Sequence, residues 1–265
     1  MVDEIEILRI KTLQNNITWL ESFGCQILRE DGLISIEHAM LRDLRVRLIV
    51  NGPERALRRL KELFGRKGTA QQIPDIYVDE NLNSFVIRSA LISSGFRVAA
   101  INTTKFCTWR PEADEKEIHL EAASLSDCHR WSTLYSTGFA RRGYEAELDR
   151  YRWQQSFNSP SVHHWFLVEG SDPLGVCQTC VDSAVTGIYS FTLTQEARAT
   201  NKLRPALRAL RAKLTQYGEI NVYFERLWTK DWLNKLNIRD DPHGFMVIRK
   251  MIGYRHQHKI EIEEL

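Results

Sequence analysis

Two groups of side chains in this 265-residue chain have the types and spacing that can do chemistry. Cys177 and Cys180 form a Cys-x-x-Cys, the spacing of a redox dithiol or of half a zinc site. They lie in a run, Gly175 to Val181, that reads as a strand, where residues three apart point to opposite faces. No second Cys-x-x-Cys and no Cys/His cluster lies nearby, so strand packing is the expected role and no metal is expected. The second group is cationic: Lys202, Arg204, Arg208 and Arg211, just after Arg198. Such a cluster can hold phosphate through its side chains; it can equally be the solvated face of a helix.

The elements that must position these groups are legible from periodicity and punctuation. A helix is expected from Leu13 to Phe23, ended by Gly24. A hairpin follows over Cys25–Leu28 and Leu33–Ile36 across Asp31-Gly32, then a strand over Arg45–Val50. Gly52-Pro53 opens a helix from Glu54 to Phe64 with a basic outer face of Arg55, Arg58, Arg59, Lys61 and Lys67. Ile76–Val78 reads as a strand, Leu82–Ser93 as a helix closed by Gly95, and Val98–Trp109 as an extended stretch. The charged run Pro111–Glu117 has no apolar periodicity and is the best linker in the chain.

Beyond it come a strand at Ile118–Ala122, a helix at Ser126–Phe139 capped by Ser124 or Ser126, and a second helix at Tyr144–Phe157. Strands at His164–Val168, Gly175–Asp182 and Gly187–Leu193 follow. A long helix is expected from Pro205 to Tyr217, because proline sits easily at the first helical position, with Gly218 as its stop. Ile220–Phe224 is a strand, and one or two helices and a strand through Lys259–Ile262 close the chain.

Composition sets the frame: 43% apolar and 26% charged residues are ordinary for a folded globular chain. The length favours two domains over one. A net charge of +2 says little about nucleic acid unless the excess is concentrated locally. No apolar run approaches the roughly 20 residues of a membrane span, and five scattered cysteines do not suggest a disulfide framework. A cytoplasmic protein without membrane partners is the expectation.

The order strand, two helices, three antiparallel strands, long helix, strand, helix, strand resembles that of the GCN5-related N-acyltransferases (GNAT). Thr186–Arg198 is similar to that family's fourth strand and following turn. Lys250-Met251-Ile252-Gly253-Tyr254 resembles its closing helix, and Leu91–Phe96 echoes the same ending in the first half. The resemblance implies an α+β GNAT fold, with two GNAT-like domains in tandem. Residues 1–112 would form a degenerate N-terminal copy and 118–265 the acyltransferase domain. It also implies acetyl-CoA or another acyl-CoA as donor. In the family, the turn carries Arg or Gln, two free positions, Gly, one free position, then Gly or Ala, so that backbone N–H groups approach the diphosphate. Here the positions are Arg198, Ala199, Thr200, Asn201, Lys202 and Leu203, followed by Arg204. Only the arginine survives, although Asn201 can adopt the left-handed conformation of a glycine.

Acyl transfer to an amine needs a strand that orients the thioester, a base for the amine proton and an acid for the leaving thiolate. The resemblance gives the first task to backbone groups of Phe191, Thr192 and Leu193. Glu225, Asp182 or the His163-His164 pair are candidates for the base. The family's acid tyrosine would fall at Arg249, so Tyr223 or Tyr189 would have to substitute; either can instead be a packed residue with a tethered hydroxyl. A second alignment makes Asp231–Leu236 the closing helix and Gly244–Lys250 a strand. Tyr144, Tyr151, Trp153, Trp165 and Trp228 could wall an acceptor site or be core. The acceptor would be a small-molecule or peptide amine. The basic patch would also suit an acyl carrier protein or an aminoacyl-tRNA as donor, and a non-catalytic binding module is the remaining reading.

Overall fold

A computed structural model describes residues 4–30, 33–38, 45–48, 58, 75–111, 117–182, 184–229 and 246–257. The chain divides into two compact units, each assembled from separated segments: Met1–Gly24 with Phe106–Phe224, and Cys25–Lys105 with Glu225–Leu265. The expected linker at 111–117 therefore lies within the first unit, and the N-terminal helix groups with the later part of the chain.

In the first unit, β6 (Ile118–Ala122), β7 (Val162–Glu169), β8 (Asp172–Val181) and β9 (Thr186–Leu193) pair antiparallel in sequence order. The next strand, β10 (Ile220–Thr229, of which Ile220–Phe224 belong here), joins β9 in parallel, with Val222, Tyr223 and Phe224 opposite Thr186, Gly187 and Ile188. Helices α3 (Cys128–Gly138) and α4 (Tyr144–Ser156) connect β6 to β7. The short α5 (Gln195–Ala199) and the longer α6 (Leu203–Leu214) connect β9 to β10. This is the order expected for residues 118–224.

Local chemistry explains the element ends. Ser124 opens the turn before α3 by donating its N–H and its hydroxyl to Asp127 Oδ2, at 2.9 and 2.6 Å. Thr194 caps α5, its Oγ1 accepting from the Ala197 N–H at 3.2 Å. Helix α6 starts at Leu203 rather than at Pro205, and ends at Leu214 rather than Tyr217. Proline is tolerated there because the first N–H groups of a helix lack partners in any case. Its small residues Ala206 and Ala209 pack with Ile118, Leu167, Leu193 and Ala197 in a core on one face of the sheet.

The opposite face carries an aromatic core. Trp131 and Tyr135 of α3, Trp153 and Phe157 near the end of α4, and His164 of β7 lie at ring-to-ring distances of 3.7–6.2 Å. The first helix of the chain, α1 (Glu4–Glu21), is longer than the expected 13–23 and lies on this face. It brings Trp19 onto Tyr189, stacked at 4.2 Å, and the residue after its C-terminal turn, Phe23, onto Trp153 at 5.2 Å.

The second unit orders its strands β1 (Gln26–Glu30), β2 (Leu33–Glu37), β3 (Arg45–Leu48), β4 (Asp75–Asp79), β11 (Met246–His256) and β5 (Phe96–Trp109, of which Phe96–Lys105 belong here). Helix α2 (Phe85–Ser93), capped by Ser84, packs Ile87 and Leu91 against Leu33, Ile76, Val78, Phe96 and Tyr254.

The expected closing helix at Lys250–Tyr254 is corrected: these residues form the strand β11, with Met251, Ile252, Gly253 and Tyr254 opposite Asp79, Val78, Tyr77 and Ile76. Val247, Ile248 and Ile252 are β-branched and favour an extended chain, and Gly253 weakens a helix. Arg249 is accordingly a strand residue, buried beside Asp79 at 3.5 Å. The alternative strand at Gly244–Lys250 is met from Met246 onward. The helix at Glu54–Phe64 (apart from Arg58), Asp231–Leu236 and the strand at Lys259–Ile262 lie outside the described residues. No helix among those described is long and apolar enough to cross a membrane.

Candidate functional site

The strand β9 changes character midway. Gln178 of β8 faces Tyr189, but Val176 faces Thr192, so Ser190 and Phe191 together oppose Cys177. That is a β-bulge, and Ser190 adopts φ 51° to make it. The parallel ladder to β10 runs over Thr186–Ile188, immediately before the bulge. Beyond it the outer edge of Phe191–Leu193 has no ladder partner among the described residues. The Thr192 and Leu193 side chains are buried and Phe191 is half-buried, so the edge offers backbone N–H and C=O groups.

Two buried polar networks fix the strand at this joint. In the first, Asn15 of α1 donates its amide to Cys180 O (3.0 Å), Val185 O (3.1 Å) and Asp182 Oδ2 (3.1 Å). Its Oδ1 accepts from the hydroxyls of Tyr223 (2.9 Å) and Tyr189 (3.2 Å), which also touch each other. A side chain on Gly187 would lie 2.6 Å from Asn15 Oδ1 and 2.4 Å from the Tyr189 ring, so only glycine allows this approach. In the second, Gln178 Oε1 accepts from Trp19 Nε1 (3.1 Å) and Ser190 Oγ (3.0 Å), and its amide nitrogen meets His164 Nε2 (2.7 Å) and Ser156 Oγ (3.2 Å). Burial, with His163 adding to it, pushes the His164 pKa down to about 3, so this imidazole is neutral.

Past Leu193 the chain turns outward. Arg198, Ala199, Thr200, Asn201, Leu203 and Arg204 are exposed. Asn201 has φ 57°, in the left-handed region that asparagine tolerates better than most residues. The turn leads into the N-terminus of α6, whose first N–H groups and dipole favour an anion. Lys202 is committed elsewhere: its ammonium bonds Glu117 and, at 2.6 Å, Glu169, at the β6–β7 end of the sheet. Those contacts lower the Glu117 pKa and raise that of Lys202.

The structure thus gathers Phe191, Thr192, Leu193, Arg198, Ala199, Thr200, Asn201, Leu203 and Arg204 along one strand end and turn, and turns Lys202 aside. Tyr223 is fully buried with its hydroxyl tethered. Asp182 bonds Ala184 N and Val185 N through Oδ1, at 2.8 and 2.9 Å, as a turn former. The backbone of Glu225 continues β10; its side chain, like those of Tyr144 and Trp228, lies outside the described residues. Trp153 is core, whereas Tyr151 and Trp165 are half-buried. Cys177 and Cys180 are free thiols on opposite faces of β8, both fully buried; burial raises the Cys180 pKa to about 12 and that of Cys177 further. Asn15, Trp19, Ser156, Gln178 and Ser190 were not singled out by the sequence. A mid-helix Asn15-Asn16 pair was the one available signal.

No family model and no curated relative matches the sequence. Solved structures do match. A GCN5-related N-acetyltransferase from Kribbella flavida superposes with a TM-score of 0.63 at 10% identity, over 92% of this chain and 95% of its own. A GCN5-related N-acetyltransferase from Sphaerobacter thermophilus gives 0.56 at 12% identity, over 88% and 76%. A tandem GNAT protein from the clavulanic acid biosynthesis pathway gives 0.52 at 10% identity, over 86% and 80%. With its element order, its parallel β9–β10 pair and the bulged strand leading into a helix N-terminus, the chain has the GCN5-related N-acyltransferase fold.

Proposed function

We propose that this chain is an N-acyltransferase that moves an acyl group from acetyl-CoA, or another acyl-CoA, to the amine of a small-molecule or peptide acceptor. The observation that carries the reading is the continuous run of backbone groups from the bulged edge Phe191–Leu193, through the left-handed turn at Asn201, to the N-terminus of α6. The pantetheine amides add to the strand edge as a further strand would. The diphosphate lies at the turn and helix N-terminus, with Arg198 and Arg204 beside it. We also read the two compact units as a tandem of GNAT-like domains.

In the reaction the amine nitrogen attacks the thioester carbon, the carbonyl oxygen becomes an oxyanion, and the C–S bond breaks as the amide forms. An N–H of the Phe191–Leu193 edge stabilises the oxyanion. Glu225 is the proposed base for the amine proton. Tyr223 reaches the leaving thiolate as acid only if its hydroxyl leaves Asn15, so solvent protonation is the simpler route with α1 in place.

Titration with acetyl-CoA and with free CoA by calorimetry at low salt tests the donor site. Micromolar binding that weakens in Arg198→Ala supports the reading, and no binding to either ligand overturns it. Glu225→Gln should slow turnover while leaving donor binding intact.

Three observations favour a carrier-bound donor, an acyl carrier protein or aminoacyl-tRNA, as a second reading. The turn lacks its glycines, Lys202 is paired with carboxylates, and Arg204 and Arg208 are exposed on α6. Activity with such a donor would fall steeply with salt.

A further inference from the structure

Resting on the donor edge proposed above, we propose that Gln178 is a positioning residue: it holds the Ser190 bulge that aims the backbone groups of Phe191–Leu193 outward, and it is itself locked by Trp19, Ser156 and His164.

Hydrogen supply fixes the orientation of this amide. An indole N–H only donates, so the Gln178 atom facing Trp19 Nε1 is its oxygen, and the amide orientation is fixed. The same oxygen accepts from Ser190 Oγ. The amide nitrogen then has one hydrogen for His164 Nε2 and one for Ser156 Oγ. His164 Nε2 must therefore be an unprotonated acceptor, with the ring proton on Nδ1. Ser156 shares its own hydrogen between Trp153 O at 3.0 Å and His164 Nε2 at 2.9 Å. Each hydrogen has a place, and the fully buried Gln178 has one orientation.

Ser190 makes the lock consequential. A non-glycine residue in the left-handed region is strained and persists where surrounding contacts overdetermine it. Its hydroxyl bond to Gln178 is such a contact. If Ser190 relaxes to an extended conformation, the extra residue of the bulge is redistributed and Phe191–Leu193 shift by one place. Because successive residues of a strand present their N–H and C=O to alternate edges, that shift turns the outward groups toward β8. Gln178 thus controls which backbone groups the donor meets without touching it. Its Trp19 partner comes from α1, so the first helix of the chain participates in setting the donor edge.

The test uses this 265-residue chain and two substitutions at one position. Ser190→Ala removes the hydroxyl but keeps the left-handed strain; Ser190→Gly removes the hydroxyl and the strain together. Acetyl-CoA titration should show Ser190→Ala weaker by about tenfold, with faster amide hydrogen exchange across Phe191–Leu193, and Ser190→Gly within about threefold of wild type. Gln178→Leu should behave like Ser190→Ala if it folds; the Ser190 pair decides the matter if it does not. Unchanged binding in Ser190→Ala, or an equal loss in Ser190→Gly, overturns the positioning role while leaving the donor reading intact. Absence of binding by wild type overturns the donor reading, and this role with it.

Discussion

The two ends of β9 are built on opposite principles. At Tyr189–Ser190 the strand is pinned from below by buried amides and hydroxyls that partner one another, and two residues of the distant helix α1 take part. At Arg198–Arg204 the chain is largely exposed, Arg198 and Arg204 face solvent, and Lys202 faces two carboxylates. Buried polar groups are held rigidly because an unmet one is costly, whereas exposed charges are screened and loosely placed. In the proposed reaction the buried end would set the geometry for the thioester, and the exposed end would contribute charge.

Removing the centre of the buried end should have the largest effect. Asn15→Ala removes the amide that three acceptors and two hydroxyls share, and urea unfolding should show a loss of about 3 kcal/mol. A loss below about 1 kcal/mol would remove the contrast between the ends. Tyr189→Phe and Tyr223→Phe should each cost about 1 kcal/mol. A selective fall in kcat for Tyr223→Phe would show that its hydroxyl does more than anchor α1.

Acid sharpens the same contrast. His164 has a folded pKa of about 3 against an ordinary 6.5, so the unfolded chain takes up a proton that the folded chain refuses. This contribution is complete above pH 6.5 and is lost as pH falls from there toward 3, at up to about 1.4 kcal/mol per pH unit. His163 is exposed, so the lowering of its pKa by partial desolvation adds little to this slope. In His164→Asn the slope of unfolding free energy against pH should flatten whatever its offset; an unchanged slope would mean that His164 is not held neutral.

Effects at the exposed end should be smaller and visible in binding. Arg198→Ala should weaken acyl-CoA by about fivefold at low salt, less as salt rises. Lys202→Ala should change affinity by no more than about twofold, because Glu117 and Glu169 already engage the ammonium. A larger loss at Lys202 than at Arg198 would reverse the assignment of the two cations.

Much of the frame was legible residue by residue. The strands of 118–224 follow from alternation, the end of α1 from Gly24, and the left-handed turn from the tolerance of Asn201 for that conformation. The placing of Cys177 and Cys180 on opposite faces follows from a strand period of two. The start of α6 was misread because Pro205 is as harmless at the third helical position as at the first. The segment at 250–254 was misread because a glycine before an aromatic residue marks a helix end only when a helix precedes it, and β-branched residues there favour a strand.

What the sequence by itself determined is the run of elements over 118–224 and the cationic character of the turn after β9, since periodicity, caps and turn residues act over a few neighbours. Tertiary structure alone decided that α1 packs beneath β8 and β9, that Ser190 bulges and that Lys202 faces glutamates. These depend on partners as distant as Asn15 and Tyr223, whose encounter leaves no local pattern. A buried hydrogen bond selects its partner by geometry, and that geometry exists only once the chain has packed.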